Sequence, residues 1–475
     1  MKYFYILLIS IFSCCFQTLE AQTDGDADTS FNGGTGFNDL VTTIALQTDG
    51  KILVGGAFTT YQGISANRII RLNSNGSIDA TFNYSTGFDS YVSDIIVQPD
   101  SKIIIVGYFS TYKGVSTNRI IRLNANGSVD NTFSFAGSST ALFVKNIEIQ
   151  NDDKLLISRV FTTSGGLVIN SDIVRLNTNG SIDTTFSTGT GFESTINSFK
   201  IATNGKIYVV GNFLTYKGVT LNTKRIIRLN SDGTSDSTFS DSTDKGYNDV
   251  VSCIALQTDE KIITGGNFSQ YGNITSPRNI SRLDTNGKSD SSFGKDGFPF
   301  NSGVSVGAVA IQNDGKIIIG GSFSEYKDII NVNIARLNND SSGSVDMSFD
   351  TYNGFNDFVK VIKIQSDGKI LVAGSFTKYN GVTRNRIIRL KGTPTLSTQE
   401  FEKNQYPIYP NPTKEFINLS NNLKGNFEIY DLLGKLLLKG KDIENKINIS
   451  SLTNGIYLLK IESEGKIISQ KFIKE

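Results

Sequence analysis

A chain of 475 residues carrying 46 Lys+Arg against 45 Asp+Glu has almost no net charge, so no electrostatic case for a nucleic-acid partner arises. Histidine and tryptophan are absent, which removes Ser-His-Asp and Cys-His nucleophiles and imidazole-held zinc, and leaves carboxylates as the enzymatic option. Seven prolines amid abundant Gly, Asn, Ser and Thr suit a turn-dense all-β protein, with neither cofactor nor metal expected.

The chain opens MKYFYILLISIFSCCFQTLEAQ, one Lys followed by an apolar run and then a small residue, Ala21. That pattern reads as a signal peptide over residues 1–21, cleaved before Gln22, with a lipoprotein signal at Cys14 as the competing reading. The apolar run is too short for a membrane span, so no transmembrane segment is expected in the mature chain. Cys253 is then the only remaining thiol, in the apolar stretch VVSCIALQ, and reads as a buried structural residue. Asp24, Asp26 and Asp28 look like the start of a calcium loop, but Thr29 and Thr35 stand where such a loop needs Gly and Glu.

From there one unit recurs, seen in GKILVGGAFTTYQGISANRIIRLNSNGSIDATF from Gly50 to Phe82, with VTTIALQ upstream as a further strand. Asp-x-Thr/Ser-Phe tetrads end at Phe31, Phe82, Phe133, Phe186, Phe239, Phe293 and Phe349, and Arg-Leu pairs begin at Arg71, Arg122, Arg175, Arg228, Arg282, Arg336 and Arg389. The two series are out of phase at the ends. The first tetrad lacks an Arg-Leu strand before it, and the last Arg-Leu strand lacks a tetrad after it. Four antiparallel strands per repeat of roughly fifty residues describe a propeller blade, and the phase offset makes the N-terminal segment the missing outer strand of the seventh. Asp49-Gly50 and its equivalents, and Asn75-Gly76 and its equivalents, read as two-residue hairpin turns on one face of the disc. The third repeat departs most, with Arg159-Val160 in place of the glycine-containing pair.

The pattern GKI-x3-G-x-F…RIIRLN-x-NGSID-x-TF resembles the delta-60 repeat family of bacterial β-propellers. The resemblance covers residues 28–391 and implies a seven-bladed propeller closed by its N-terminal strand; it implies no activity.

Seven arginines inside apolar strands, beside Asp28, Asp79, Asp130, Asp183, Asp236, Asp290 and Asp346, read as structural pairs rather than a ring of binding charge. Two further loop sets are expected on the face opposite the hairpin turns. Tyr61, Tyr112, Tyr216 and Tyr379 recur in one, and Phe37 with Asp39 and Phe355 with Asp357 in the other. Alternating aromatics and carboxylates could stack sugars and accept bonds from their hydroxyls, so these eight residues are the candidate ligand-binding set. The competing reading makes them a packed rim. No catalytic residue is assigned.

After a polar stretch at 392–405, residues 406–475 change character and read as a small Ig-like β-sandwich. The sequences YPNP at Tyr409, Pro410, Asn411 and Pro412, EIYDLLGK containing Gly434, and NGIYLLKI containing Gly455 resemble the C-terminal sorting domain of type IX secretion cargo. That resemblance implies outer-membrane secretion machinery as a partner and an extracellular or outer-membrane-attached location. The expected function is a binding or adhesion module for an extracellular glycan or protein. The alternative is a carboxylate-dependent polysaccharide hydrolase or lyase on the propeller mouth. An enzyme should show one asymmetric cluster, a binding module similar rims in most blades.

Overall fold

The computed structural model describes residues 24–392 and 408–475, apart from 85, 136, 138–140, 163–168, 188, 240–245, 275–277, 294–303, 327–328, 420–424, 432–434, 442–445 and 464–465. The expected signal peptide and most of the 392–405 stretch therefore lie outside the described residues. The chain divides into two compact units, Met1–Thr395 and Leu396–Glu475.

The first unit contains seven three-stranded antiparallel sheets, one per repeat, as in Val41–Leu46, Ile52–Gly56 and Ile69–Leu72 of blade 1. The fourth strand is reduced to one bridge per blade, from Leu72↔Ile78 onward, and in blade 7 the bridge is Ala27↔Leu390. The N-terminal segment thus closes the ring. Asp28 N–H donates to Arg389 O at 2.8 Å and Lys391 N–H to Asp26 O at 2.8 Å.

Second strands such as Ile52–Gly56 and Ile103–Gly107 are buried along their whole length, which follows from blades covering both faces of each sheet. Glycine stands at this end of six of the seven second strands for a steric reason: a Cβ on Gly56 would lie 2.2 Å from Leu40 O. In blade 3 that position is Val160. The second and third strands run on to Leu155–Thr162 and Ile169–Leu176, and Arg159 pairs with Asp172 at 2.5 Å.

The hairpin turns differ from the expectation of two residues. Gln47 N–H donates to Lys51 O and Gly50 N–H to Gln47 O, giving a three-residue loop with positive φ only at its last position. One left-handed residue is easier to supply than two, which is why Ser101, Asp153 and Glu260 serve there at φ 65°, 61° and 63°.

The repeated tetrad is a socket for the repeated arginine. Arg122 Nε donates to Asp130 at 2.7 Å, its Nη2 to the Thr132 hydroxyl at 3.0 Å, and the guanidinium lies 4.9 Å from the Phe133 ring centroid. Its Nη1 crosses to the next blade and meets Thr178 O at 2.6 Å. The Nε–Asp pairing recurs in all seven blades, and in most the carboxylate also meets the Lys that opens the second strand, as in Lys154–Asp183 at 2.9 Å. Burial alone would raise these carboxyls. Bonds from the neighbouring Ser/Thr hydroxyl and N–H and from arginine outweigh it in Asp28 and Asp79, and in Asp236 and Asp346 the bond from Lys206 or Lys316 comes first; all four are held below the usual range.

In the second unit a three-stranded sheet, Ile408–Tyr409, Phe416–Leu419 and Lys446–Asn448, and a four-stranded sheet containing Asn426–Tyr430 and Gly455–Ser463 share one core. Ile417, Ile429, Leu459 and Phe472 fill it. Along Phe416–Leu419 and Lys446–Asn448 buried residues alternate with more exposed ones, which places one face inward.

Candidate functional site

The eight candidate residues divide by burial. Phe37, Tyr61, Tyr112, Tyr216, Phe355 and Tyr379 are at most 2 % exposed. Their rings pack on one another, Phe37 to Tyr61 at 4.5 Å and Phe355 to Tyr379 at 4.6 Å. The hydroxyls reach backbone carbonyls: Tyr61 to Gly76 at 2.8 Å, Tyr112 to Gly127 at 2.8 Å, Tyr216 to Gly233 at 2.6 Å and Tyr379 to Gly25 at 2.5 Å. These glycines, Gly25 apart, sit in the third-to-fourth strand turns. The tyrosine loops therefore meet the turns from which they were expected to be separated by the thickness of the disc, and the rings present no face to a ligand.

The rim polar groups hold loops. Asn38 accepts from Thr59 N–H and Thr60 N–H, both at 2.9 Å. Asp89 does the same for Ser110 and Thr111, and Glu193 for Leu214 and Thr215. Asp39 and Asp357 are exposed, and each accepts from the N–H of its own next residue, at 2.7 and 2.6 Å.

A different set of residues converges on the axis of the ring. The first strand of every blade carries a register shift, between Val41/Thr43, Val92/Asp94, Val144/Asn146, Ile196/Ser198, Val251/Cys253, Val306/Ala308 and Val359/Val361. Such a bulge re-aims a side chain. The bulged positions, Thr42, Ser93, Lys145, Asn197, Ser252, Gly307 and Lys360, all line one axial channel of about 590 Å³.

Unlike the socket, this lining is not repeated. Lys145 and Lys360 stand at the bulge level on blades 3 and 7, and Lys200 and Lys363 lie deeper, on blades 4 and 7. Lys145 Nζ donates to Asn197 Oδ1 at 2.7 Å. Burial, and then the like charge of Lys360, pull its pKa down to about 8. Lys200 forms an ion pair with Glu148, and that pairing outweighs burial and raises its pKa. Lys363 is pulled down by burial and by Lys200. Asp94 accepts from Thr43 Oγ1 at 3.0 Å, Ile95 N–H at 2.9 Å and Ile147 N–H at 3.2 Å, and burial pushes its carboxyl up.

One wall is aromatic, with Tyr91 stacked on Tyr108 at 4.1 Å and Tyr108 on Phe143 at 3.7 Å. Opposite lie the small residues Gly307, Ala308 and Cys253. The Cys253 thiol contacts Val306 O at 3.6 Å, and burial pushes it up to about 12, far from a reactive thiolate. Among the described residues no group of three or more His, Cys, Asp or Glu could hold a metal ion.

In the C-terminal unit, Asn411 of the YPNP stretch accepts from Ile473 N–H at 2.9 Å and donates to Lys471 O at 3.2 Å, which ties it to the last strand. Tyr409 ends a short strand, and Gly455 opens the strand that pairs with Lys474. Gly434 lies outside the described residues.

Seven closed blades followed by a small all-β unit define a β-propeller protein. Its repeats match the model for the Domain of unknown function (DUF5122) beta-propeller at residues 47–82, 98–133, 150–186, 202–239, 257–293, 312–349 and 365–392, and the chain belongs to that family. Residues 407–475 match the Secretion system C-terminal sorting domain, the mark of type IX export to the cell surface or the extracellular space. No helix among the described residues is long and apolar enough to cross a membrane.

Beta-agarase D of Zobellia galactanivorans is 32% identical over 84 residues, 18% of this chain and 16% of that protein. Among solved structures, PorZ, a surface component of the type IX secretion system of Porphyromonas gingivalis, aligns at 12% identity and TM-score 0.43 over 92% of this chain and 59% of its own. The Dos1 propeller aligns at 8% identity and TM-score 0.44 over 75% of this chain and 92% of its own. The chain thus spans a small part of the curated relative and under two thirds of PorZ.

Proposed function

We propose that this exported propeller is a non-catalytic binding module for an extracellular glycan or protein, acting in adhesion at the cell surface, with the axial channel as its binding site. The observation that carries this reading is the contrast between two kinds of polar residue. The Arg–Asp sockets that repeat from blade to blade hold the blades together, whereas Asp94, Lys145, Lys200, Lys360 and Lys363, which most blades lack, gather in one channel.

The channel is an asymmetric cluster of the kind that an enzyme would also show, but its content suits binding. Hydrolysis of a glycosidic bond by two carboxyls needs one free to protonate and one free to attack or to activate water. Asp94 is held by three hydrogen bonds, and Glu148 is paired with Lys200.

The test is an array of polysaccharides and glycoproteins probed with the secreted full chain, reading binding and the release of reducing ends together. Binding without release, weakened by a channel substitution and unaffected by Asp39→Asn, supports the reading. Release of reducing ends overturns it in favour of the hydrolase or lyase.

A further inference from the structure

The channel lysines are placed in a way that the fold does not require. Lys145 on blade 3 and Lys360 on blade 7 belong to strands on different sides of the ring, yet each is near enough for the charge of Lys360 to act on Lys145. Deeper in the channel, the charge of Lys200 acts on Lys363 in the same way, and Asp94 and Glu148 act on it in the opposite sense. Lysines therefore face one lumen at two levels, Lys145 with Lys360 at one and Lys363 beside the Lys200–Glu148 pair at the other.

Like charges held together oppose folding, and the counter-charge present falls short. Four lysines meet two carboxylates: Glu148 is engaged by Lys200, and Asp94, which acts on Lys363, is held by three hydrogen bonds and pushed up by burial. Among the described residues neither Lys360 nor Lys363 has an ion-pair partner, and both side chains are exposed to the lumen.

The two levels are separated by three residues of strand, Lys360 to Lys363, one of them at the bulge. At about 3.3 Å per residue the spacing is roughly 7–10 Å. At the bulge level, beside Lys145 and Lys360, the wall offers neutral hydrogen-bonding groups, among them Thr42, Ser93, Asn197 and Ser252. A volume of about 590 Å³ suits a body of one or two sugar rings.

We infer that the channel binds an elongated, hydroxyl-rich dianion, a ligand of sugar-acid type with one oxyanionic group near each end, gripped by Lys145 with Lys360 at one level and by Lys363 at the other. This inference rests on the channel being the binding site. It adds the ligand's charge and the spacing of its anionic groups.

The experiment is calorimetric titration of the full secreted chain with galactarate, the six-carbon diacid, against galactitol, which has the same carbon skeleton without carboxylates, and against inorganic sulfate. Galactarate is expected to bind, galactitol not to bind, and sulfate to compete at least tenfold more weakly. Lys145→Gln and Lys363→Gln, each checked for an unchanged circular dichroism spectrum, are each expected to weaken galactarate at least tenfold.

Equal binding of galactarate and galactitol overturns the inference, and so does competition by sulfate as strong as that of galactarate, which would mean a single-anion site. Unchanged affinity in Lys363→Gln, or no binding of galactarate, also overturns it. The two readings fail separately. Array binding that survives undiminished in Lys363→Gln leaves a binding module without a dianion channel, while galactarate binding beside a silent array leaves the channel and removes adhesion.

Discussion

Arg389 and Asp28 lie 361 residues apart in sequence and 2.8 Å apart in space, Nε to Oδ2, and this pair is the seventh copy of a contact that the other six blades make within eight or ten residues. Ring closure therefore uses the same socket as every blade interior, and the two ends of the disc meet on terms that the rest of the chain has already set.

Removing one partner of a buried ion pair strands the other charge and costs about 3–5 kcal/mol. Arg228→Ala leaves Asp236 facing Lys206 alone and removes the bond to Thr285 O of the next blade. A loss of this size in urea denaturation is expected for Arg228→Ala, and a comparable loss for Arg389→Ala. Unchanged stability of either variant would show that the socket does not hold the blades.

The socket also fixes the acid limit of the fold. The Thr185 hydroxyl, first among the causes, together with Lys154 and Arg175 holds the Asp183 carboxyl below its usual range. A carboxyl depressed in the folded state contributes stability above its unfolded pKa, about 3.9, and loses it as pH falls through the lower folded value. The loss therefore begins only below about pH 4. Thr185→Val raises the folded pKa of Asp183 and should move the acid unfolding midpoint, followed by circular dichroism, to higher pH. A midpoint unmoved by Thr185→Val counts against the hydroxyl as the cause.

Tyr216→Phe keeps the ring packing on Phe192 and deletes only the bond to Gly233 O. A loss of about 1 kcal/mol is expected, with ligand affinity unchanged. A fall in affinity with stability intact would return the tyrosine rim to the binding site.

Lys145 couples binding and stability in opposite directions. Its pKa is about 8 against 10.5 for an ordinary lysine, and the charged groups sharing its channel are Lys360, Asp94, Lys363 and the Lys200–Glu148 pair. Anion binding should fall as pH rises through about 8. Between that value and 10.5 the unfolded chain holds one more proton at this site than the folded chain, so this group makes stability rise with pH across that window. Lys145→Met should be more stable than the parent at pH 7 in urea denaturation, show a smaller rise toward pH 10, and bind the anion poorly. A variant less stable at pH 7 would mean that the ammonium supports the fold.

Much of this molecule is legible in its sequence, and where legibility stops is informative. The Asp-x-Thr-Phe tetrads and Arg-Leu pairs gave the blade count and the closure at Asp28 because duplication copies internal contacts together with the strands that make them. The same regularity misdirected the search for a site. Tyr61 and Phe37 recur because each blade needs a ring wedged under its own loop, and the depth of that wedge is a tertiary fact that composition does not carry. The two-residue turn expected at Asp49-Gly50 failed for a similar reason: Asp-Gly serves both loop lengths, and Gln47 settles the matter by bonding to Lys51. The channel could have been found by lining up the first strands. VTTIALQ, VSDIIVQ, VKNIEIQ and VKVIKIQ agree at their apolar positions and disagree where Asp94, Lys145, Glu148, Lys360 and Lys363 stand. In a repeat protein, agreement between copies marks scaffold, and the departures mark what the scaffold carries.

Closure by the N-terminal strand also sets an order of events in time. Every bridge from Leu72↔Ile78 to Leu337↔Val345 joins neighbours in sequence, whereas Ala27↔Leu390 must wait for the whole disc to be assembled between its two halves. Until then the strand Ile387–Leu390 offers an unpaired edge to any passing chain. The segment that docks last precedes the rest of the disc in sequence, so the time before it docks is when this protein is most open to pairing with a neighbour, and the moment of docking ends it.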